Sequence, residues 1–134
     1  MGQWQTLDHT ADLALRVWGA DLEDLFITAA QGLMSLITDP TRLRAEQTRT
    51  LELTAPDVET LLVDWLNELL YLSECHHFGF AGATFHTLNE TTLQAKVQGG
   101  PWPGYTSYVK AATFHNLAIH RTTSGYETEL VFDT

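Results

Sequence analysis

Residues 8–18 read Asp-His-Thr-Ala-Asp-Leu-Ala-Leu-Arg-Val-Trp, and the change of pattern inside them decides the fold. Asp8, His9 and Asp12 belong to a polar turn. From there the side chains alternate, with Leu13, Leu15 and Val17 on one face and Ala14, Arg16 and Trp18 on the other. A two-residue period is what a strand with one buried face requires. Asp12 thus stands at the mouth of an anchored strand, where a fixed carboxylate can hold a ligand. The competing reading is a local cap, because aspartates at turns commonly accept from nearby backbone N–H groups.

Working outward, residues 3–7 make a short first strand, and Gly19-Ala20 ends the second. Leu22, Leu25, Phe26, Ala29, Ala30, Leu33 and Ile37 then recur by threes and fours, predicting a helix over 21–37 with one buried stripe. Asp21 is a good N-cap, and Glu23 and Asp24 suit the positive end of the helix dipole. Asp39-Pro40 stops the helix, since proline disfavours helical backbone in the residue before it. Residues 41–48 are expected as an exposed connection and 50–54 as a strand. A second helix starts near Pro56, a residue suited to a first helical turn, and buries Val58, Leu61, Leu62, Trp65, Leu66, Leu69 and Leu70. Its other side carries Thr60, Asp64, Asn67 and Tyr71, with Glu68 at the edge. Such a row is normally a solvated face, and a partner-docking face is the alternative.

The second half reads as strands. Residues 78–86 and 92–98 form a pair joined through Leu88-Asn89-Glu90. Residues 99–104, Gly-Gly-Pro-Trp-Pro-Gly, read as an exposed loop, because glycine and proline interrupt ladders. Trp102 at its tip is either a binding contact or folds back on the sheet. Residues 107–113 resume a strand, 117–121 continue it or begin another, 122–125 turn, and 126–133 form the last strand. Two helices with about seven or eight strands predict an α+β fold. It is a two-layer sandwich, two helices packed on a largely antiparallel β-sheet, in a single domain over residues 1–134.

A chain of 134 residues is long enough to bury roughly two-thirds of its unfolded surface. Seventeen acidic residues against seven basic ones give a formal net charge of -10. Affinity for phosphate backbones comes from lysine and arginine, so strong direct nucleic-acid binding is disfavoured. Divalent cations and basic protein surfaces are the favoured partners. The lone Cys75 has no partner for an internal disulfide or for a metal-type pair. Neither a secretory leader nor an apolar run of about 18 residues is present, which predicts a cytoplasmic protein without a membrane segment.

Several chemistries drop out. Gly99-Gly100-Pro101 lacks the spacing and the following helix of a phosphate cradle, and no serine sits in a nucleophile-elbow context. Cys75-His76-His77 lies at a helix end, where histidines meet the last carbonyls and contiguous side chains splay apart. His86 and His120 sit in strand patterns. What remains is a pair of strand-end aspartates, Asp12 and Asp133. If the last strand lies beside the second, Asp133 and the carboxylate of Thr134 converge on Asp12. Their repulsion is then relieved by a cation, and oxygen-only ligands select calcium, magnesium or manganese over zinc.

Five stretches together are specific. They are His9-Thr10-Ala11-Asp12, Leu36-Ile37-Thr38-Asp39-Pro40, residues 61–71 (Leu-Leu-Val-Asp-Trp-Leu-Asn-Glu-Leu-Leu-Tyr), residues 109–115 (Val-Lys-Ala-Ala-Thr-Phe-His) and Phe132-Asp133-Thr134. In this order and over nearly the whole chain they resemble the archease family. The resemblance implies an accessory protein rather than an enzyme, serving the GTP-dependent RNA ligase of the RtcB type in tRNA splicing and RNA repair. Such a protein promotes the ligase's guanylylation and repeated turnover. The family's divalent-metal site falls on Asp12, Asp133 and Thr134, with His9, Lys110 and His115 at motif positions beside it. Two positions depart from the family pattern: Phe114 stands where tyrosine is common, and the 99–104 loop lacks the usual acidic residue after its glycine. The competing function classes are a metal-dependent hydrolase of a small phosphorylated substrate and a metal-independent protein-binding adaptor using the Asp64-Asn67-Tyr71 face.

Overall fold

A computed structural model describes residues 2–8, 13–114 and 117–134. Strands β1 (Gln3–Asp8) and β2 (Leu13–Gly19) lead into helix α1 (Leu22–Ile37) and a 3-10 turn at Pro40–Arg42. Strand β3 (Gln47–Thr54) precedes helix α2 (Val58–Cys75), and β4 (Phe78–Leu88), β5 (Thr92–Pro101), β6 (Ala111–Thr113), β7 (His120–Thr122) and β8 (Gly125–Asp133) follow. The α+β reading holds, with one difference. The strands form two antiparallel sheets, β1-β2-β8-β6 with β7 also on β8, and β3-β5-β4. Periodicity reports which face of a strand is buried and is silent about which edge is paired, so it cannot count sheets.

The helices join the two sheets. Helix α1 packs on β2 and β4, and α2 packs on β4, β3 and β6. Trp65 is the fully buried centre of the core. Its ring lies 6.5 Å from Phe26, 6.0 Å edge-on from Phe80 and 5.5 Å from Phe85. Its indole N–H donates to the Phe26 carbonyl at 3.0 Å, so the large ring is buried without stranding its donor.

Other expectations need correction. Helix α2 starts at Val58, not in a turn containing Pro56, because the Asp57 carboxylate caps it by accepting from the Thr60 N–H at 2.7 Å. Strand β3 begins at Gln47, where Gln47 pairs with Gly99. Its early residues are polar on an edge strand and leave no hydrophobic signal. Gly99, Gly100 and Pro101 continue β5 opposite Phe80, Gly79 and Phe78. A Cβ at Gly99 would collide with the Gly79 carbonyl and the Phe78 ring, so here glycine marks a close approach of two backbones. Trp102 folds back, its backbone N–H donating to the His77 carbonyl at 2.8 Å and its ring 4.9 Å from Tyr105. Of residues 107–113, Ala111–Thr113 alone is strand, and β7 forms a hairpin with β8 across Thr122↔Gly125.

Candidate functional site

Strand β8 alternates as its sequence demands. Thr128, Leu130 and Phe132 are buried, while Glu127, Glu129 and Asp133 occupy the opposite face with the buried Val131. β2 lies antiparallel along one side of it, from Gly19↔Tyr126 to Leu13↔Phe132. On the outer face each glutamate of β8 meets a donor directly across the ladder. Trp18 Nε1–H donates to Glu127 at 2.9 Å, and the Arg16 guanidinium stands 3.6 Å from Glu129. The Arg16–Glu129 pair is half exposed and contributes at most about 1 kcal/mol. The pattern breaks at the end of the strand. Asp133 is exposed, and among the described residues its carboxylate has no hydrogen bond or ion pair. Thr134 beside it is exposed as well.

The other side of this corner is held by β6. Ala111 pairs with Asp133, the Lys110 N–H donates to the Asp133 carbonyl at 2.8 Å, and the Thr113 hydroxyl donates to the Val131 carbonyl at 3.1 Å. Lys110 therefore contributes its backbone. Its exposed ammonium forms no ion pair among the described residues. His9, Asp12 and His115 lie outside the described residues.

Helix α2 fixes β6 in turn. Asn67 Oδ1 accepts from the Ala112 N–H at 2.7 Å, and its Nδ2 donates to the Ala112 carbonyl at 3.3 Å. One side chain thus satisfies both backbone groups of a residue in a three-residue strand. One helical stretch earlier, Glu59 accepts from the Ile119 N–H at 3.1 Å. The row expected as a solvated face, or as an adaptor's docking face with Asp64 and Asn67, is mostly half-buried against β6 and its flanks. Burial pushes the Asp64 carboxyl above its ordinary range. The one signal available in sequence was Asn67 itself, a residue unfavourable in a helix interior and kept there by a specific partner.

The described donors at the sheet corner are oxygen atoms, exposed and, among the described residues, unengaged by any cation, a set that fits a hard divalent ion. Among the described residues no group of three or more His, Cys, Asp or Glu side chains is gathered for a metal. Cys75, His76 and His77 are all exposed at the end of α2, with His76 as the C-cap and His77 at φ 52, the left-handed residue that often follows a helix. No helix among the described residues is long and apolar enough to cross a membrane.

Residues 4–134 match the Archease protein family (MTH1598/TM1083). The chain is 32% identical to protein archease of Methanosarcina barkeri over 139 aligned positions, covering 98% of this chain and 95% of that protein. It is 33% identical to protein archease of Methanopyrus kandleri, covering 97% and 98%. The solution structure of protein 1598 from Methanobacterium thermoautotrophicum superposes with a TM-score of 0.76 at 27% identity, covering 98% of both chains. The crystal structure of a Thermotoga maritima protein described as an archease and possible chaperone has the same fold, with a TM-score of 0.67 at 20% identity over 97% of this chain and 96% of that one. By match and by fold, this chain belongs to the archease family.

Proposed function

We propose that this protein is an accessory, chaperone-like activator of a GTP-dependent RNA ligase of the RtcB type, acting through a divalent cation held by Asp12, Asp133 and Thr134. The observation that carries the reading is the β2–β8 register. Its last described pair is Leu13↔Phe132, and counting one residue further along both strands reaches Asp12 and Asp133. Along the outer face Glu127 and Glu129 each meet a donor, whereas the Asp133 carboxylate meets none among the described residues. Carboxylates brought close together repel, and a cation between them removes the repulsion. When bound, a hard divalent ion supplies concentrated positive charge with coordination positions left for oxygen ligands of a partner.

The chain's own residues do the positioning. β6 and Asn67 hold the Asp133 backbone, and the acidic surface steers the protein toward a basic ligase. The accessory role also agrees with the description of the Thermotoga maritima relative as a possible chaperone. The test is single-turnover guanylylation of the ligase with and without this protein, across calcium, magnesium and manganese. Asp12→Ala and Asp133→Ala should each lose at least about tenfold in stimulation, since even outer partners of metal sites cost that much. Their melting curves should stay close to the parent's. Full stimulation by Asp133→Ala would remove the metal role.

A further inference from the structure

Tyr71 (49% exposed), Tyr105 (40%) and Tyr108 (45%) are three of the large hydrophobic side chains that the described surface leaves open, and they lie together. Tyr71 and Glu74 are one helical turn apart on α2 and project from the same side. The Tyr108 hydroxyl donates to the Glu74 carboxylate at 3.2 Å. The Tyr108 ring stands 5.6 Å edge-on from Tyr105, which in turn stacks at 4.9 Å on Trp102. His76 packs on Tyr71 at 5.2 Å. The result is two groups of rings, Tyr71 with His76 and Tyr108 with Tyr105 and Trp102, linked through the Glu74 carboxylate.

We infer that Tyr71, Glu74 and Tyr108 form a docking cradle for an arginine or lysine side chain of a basic protein partner. Tyrosine faces attract cations, and a carboxylate beside them fixes where the cation sits. The chain itself shows the preference elsewhere. Arg49 lies 5.0 Å over Phe78 and Arg121 lies 5.5 Å over Tyr126, whereas among the described residues no cation covers these tyrosines. Burial first, and then the Glu74 charge, push the Tyr108 hydroxyl above the ordinary tyrosine range, so it remains a neutral donor that holds the carboxylate in place. Beyond Trp102 the next hollow is of mixed charge, lined by Arg42, Arg44 and Glu46, whereas the tyrosines have Glu74 beside them. The net charge of -10 supplies the complementary field. Tyrosine and tryptophan are also the residues that most often dominate binding energy at protein interfaces. The cradle is continuous with the sheet corner, because two residues after Tyr108 the Lys110 N–H bonds to Asp133.

The choice of probe rests on the ligase-accessory reading. Binding of fluorescently labelled protein to an RtcB-type ligase is measured at low and high salt for the parent, Tyr71→Ala, Glu74→Gln, Tyr108→Ala and Tyr108→Phe. Each of the first three variants should weaken binding about 3- to 30-fold and raise the concentration needed for half-maximal stimulation, whereas Tyr108→Phe, which keeps the ring, should recover most of the loss. Asp133→Ala should lower the maximum instead. Tyr71 makes no hydrogen bond among the described residues, so Tyr71→Ala disturbs the fold least and decides the case if Tyr108→Ala melts early. Parent-like binding by Tyr71→Ala and Glu74→Gln overturns the cradle and leaves the ligase reading standing. A parent that does not bind the ligase overturns both. Single-stranded RNA binding that the same variants abolish reassigns the rings to base stacking and also overturns it.

Discussion

Helices α1 and α2 start alike and serve differently. Each opens on an aspartate cap, Asp21 accepting from the Asp24 N–H at 2.8 Å and Asp57 from the Thr60 N–H at 2.7 Å. Each buries an apolar stripe. The polar groups of α1 turn to the chain before the helix or to its own turns, as when Asp24 accepts from the Ala20 N–H and, 22 residues back, the Gly2 N–H, and Ser35 donates to the Gly32 carbonyl. Those of α2 reach far along the sequence. Glu59, Asn67 and Glu74 recur about every two turns, roughly 11 Å apart, and catch Ile119, Ala112 and Tyr108 in turn. Tyr108, Ala112 and Ile119 are thereby fixed along the helix in antiparallel order. A polar row at helical spacing can thus serve as a set of clamps, and water is then excluded from much of it.

The largest test of the contrast concerns what the two helices share. Trp65→Ala removes the ring packed on Phe26, Phe80 and Phe85 and leaves the Phe26 carbonyl without its indole donor. Denaturant unfolding should show a loss of about 3–5 kcal/mol, and a loss under 1 kcal/mol would mean the two helices do not share one core. Next comes the clamp. Asn67→Ala strands both backbone groups of Ala112, which should cost about 1–3 kcal/mol and speed hydrogen exchange at the Ala112 amide. The surface substitution Ser35→Ala on α1 should stay within about 0.5 kcal/mol. If the two variants proved equal, the clamp description of α2 would be wrong.

The smallest effect is the acid response of two carboxylates of α2, its N-cap Asp57 and Asp64. Hydrogen bonds from Thr60 hold the Asp57 carboxyl below its ordinary range, so its contribution is present above the usual carboxylate pKa and lost as pH falls through the lowered value. Asp64 has the opposite sign. Burial raises its pKa, so its ionised form burdens the fold at neutral pH, and acidification through the raised value relieves that burden. In melting curves across the acid range, Asp57→Asn should remove part of the acid-induced loss, and Asp64→Asn should stabilise slightly at neutral pH. A destabilising Asp64→Asn at neutral pH would show that its carboxylate makes a favourable contact.

What could be read beforehand follows from the same physics. The α1 and α2 stripes, the caps and the alternation of β2 and β8 are local patterns, so both helices and the strand faces were legible. The start of the edge strand β3, residues 47–49, and the Gly99-Gly100-Pro101 end of β5 were not, because cross-strand partners decide them. Residues 107–110 carry strand-forming types, yet Tyr108 meets the side of helix α2, which has no ladder to offer, and the strand contact to β8 starts only at Lys110. Of the candidate site, the alignment of β2 with β8 was legible as a condition and is met from Leu13↔Phe132 onward. Lys110's use of its backbone and Asn67's grip on β6 were not legible, since both depend on contacts between distant segments.

Strand β8 has a consequence for synthesis. It lies between β2 on one side and β6 and β7 on the other, so the middle of this sheet comes late in the sequence. At roughly 5–20 residues per second, the nascent β1–β2 hairpin leaves the ribosome with its inner edge bare for on the order of ten seconds. During that wait it is open to pairing with the wrong chain. A nascent chain without β8 also lacks Asp133, so any activity of that corner appears only when the sheet is complete.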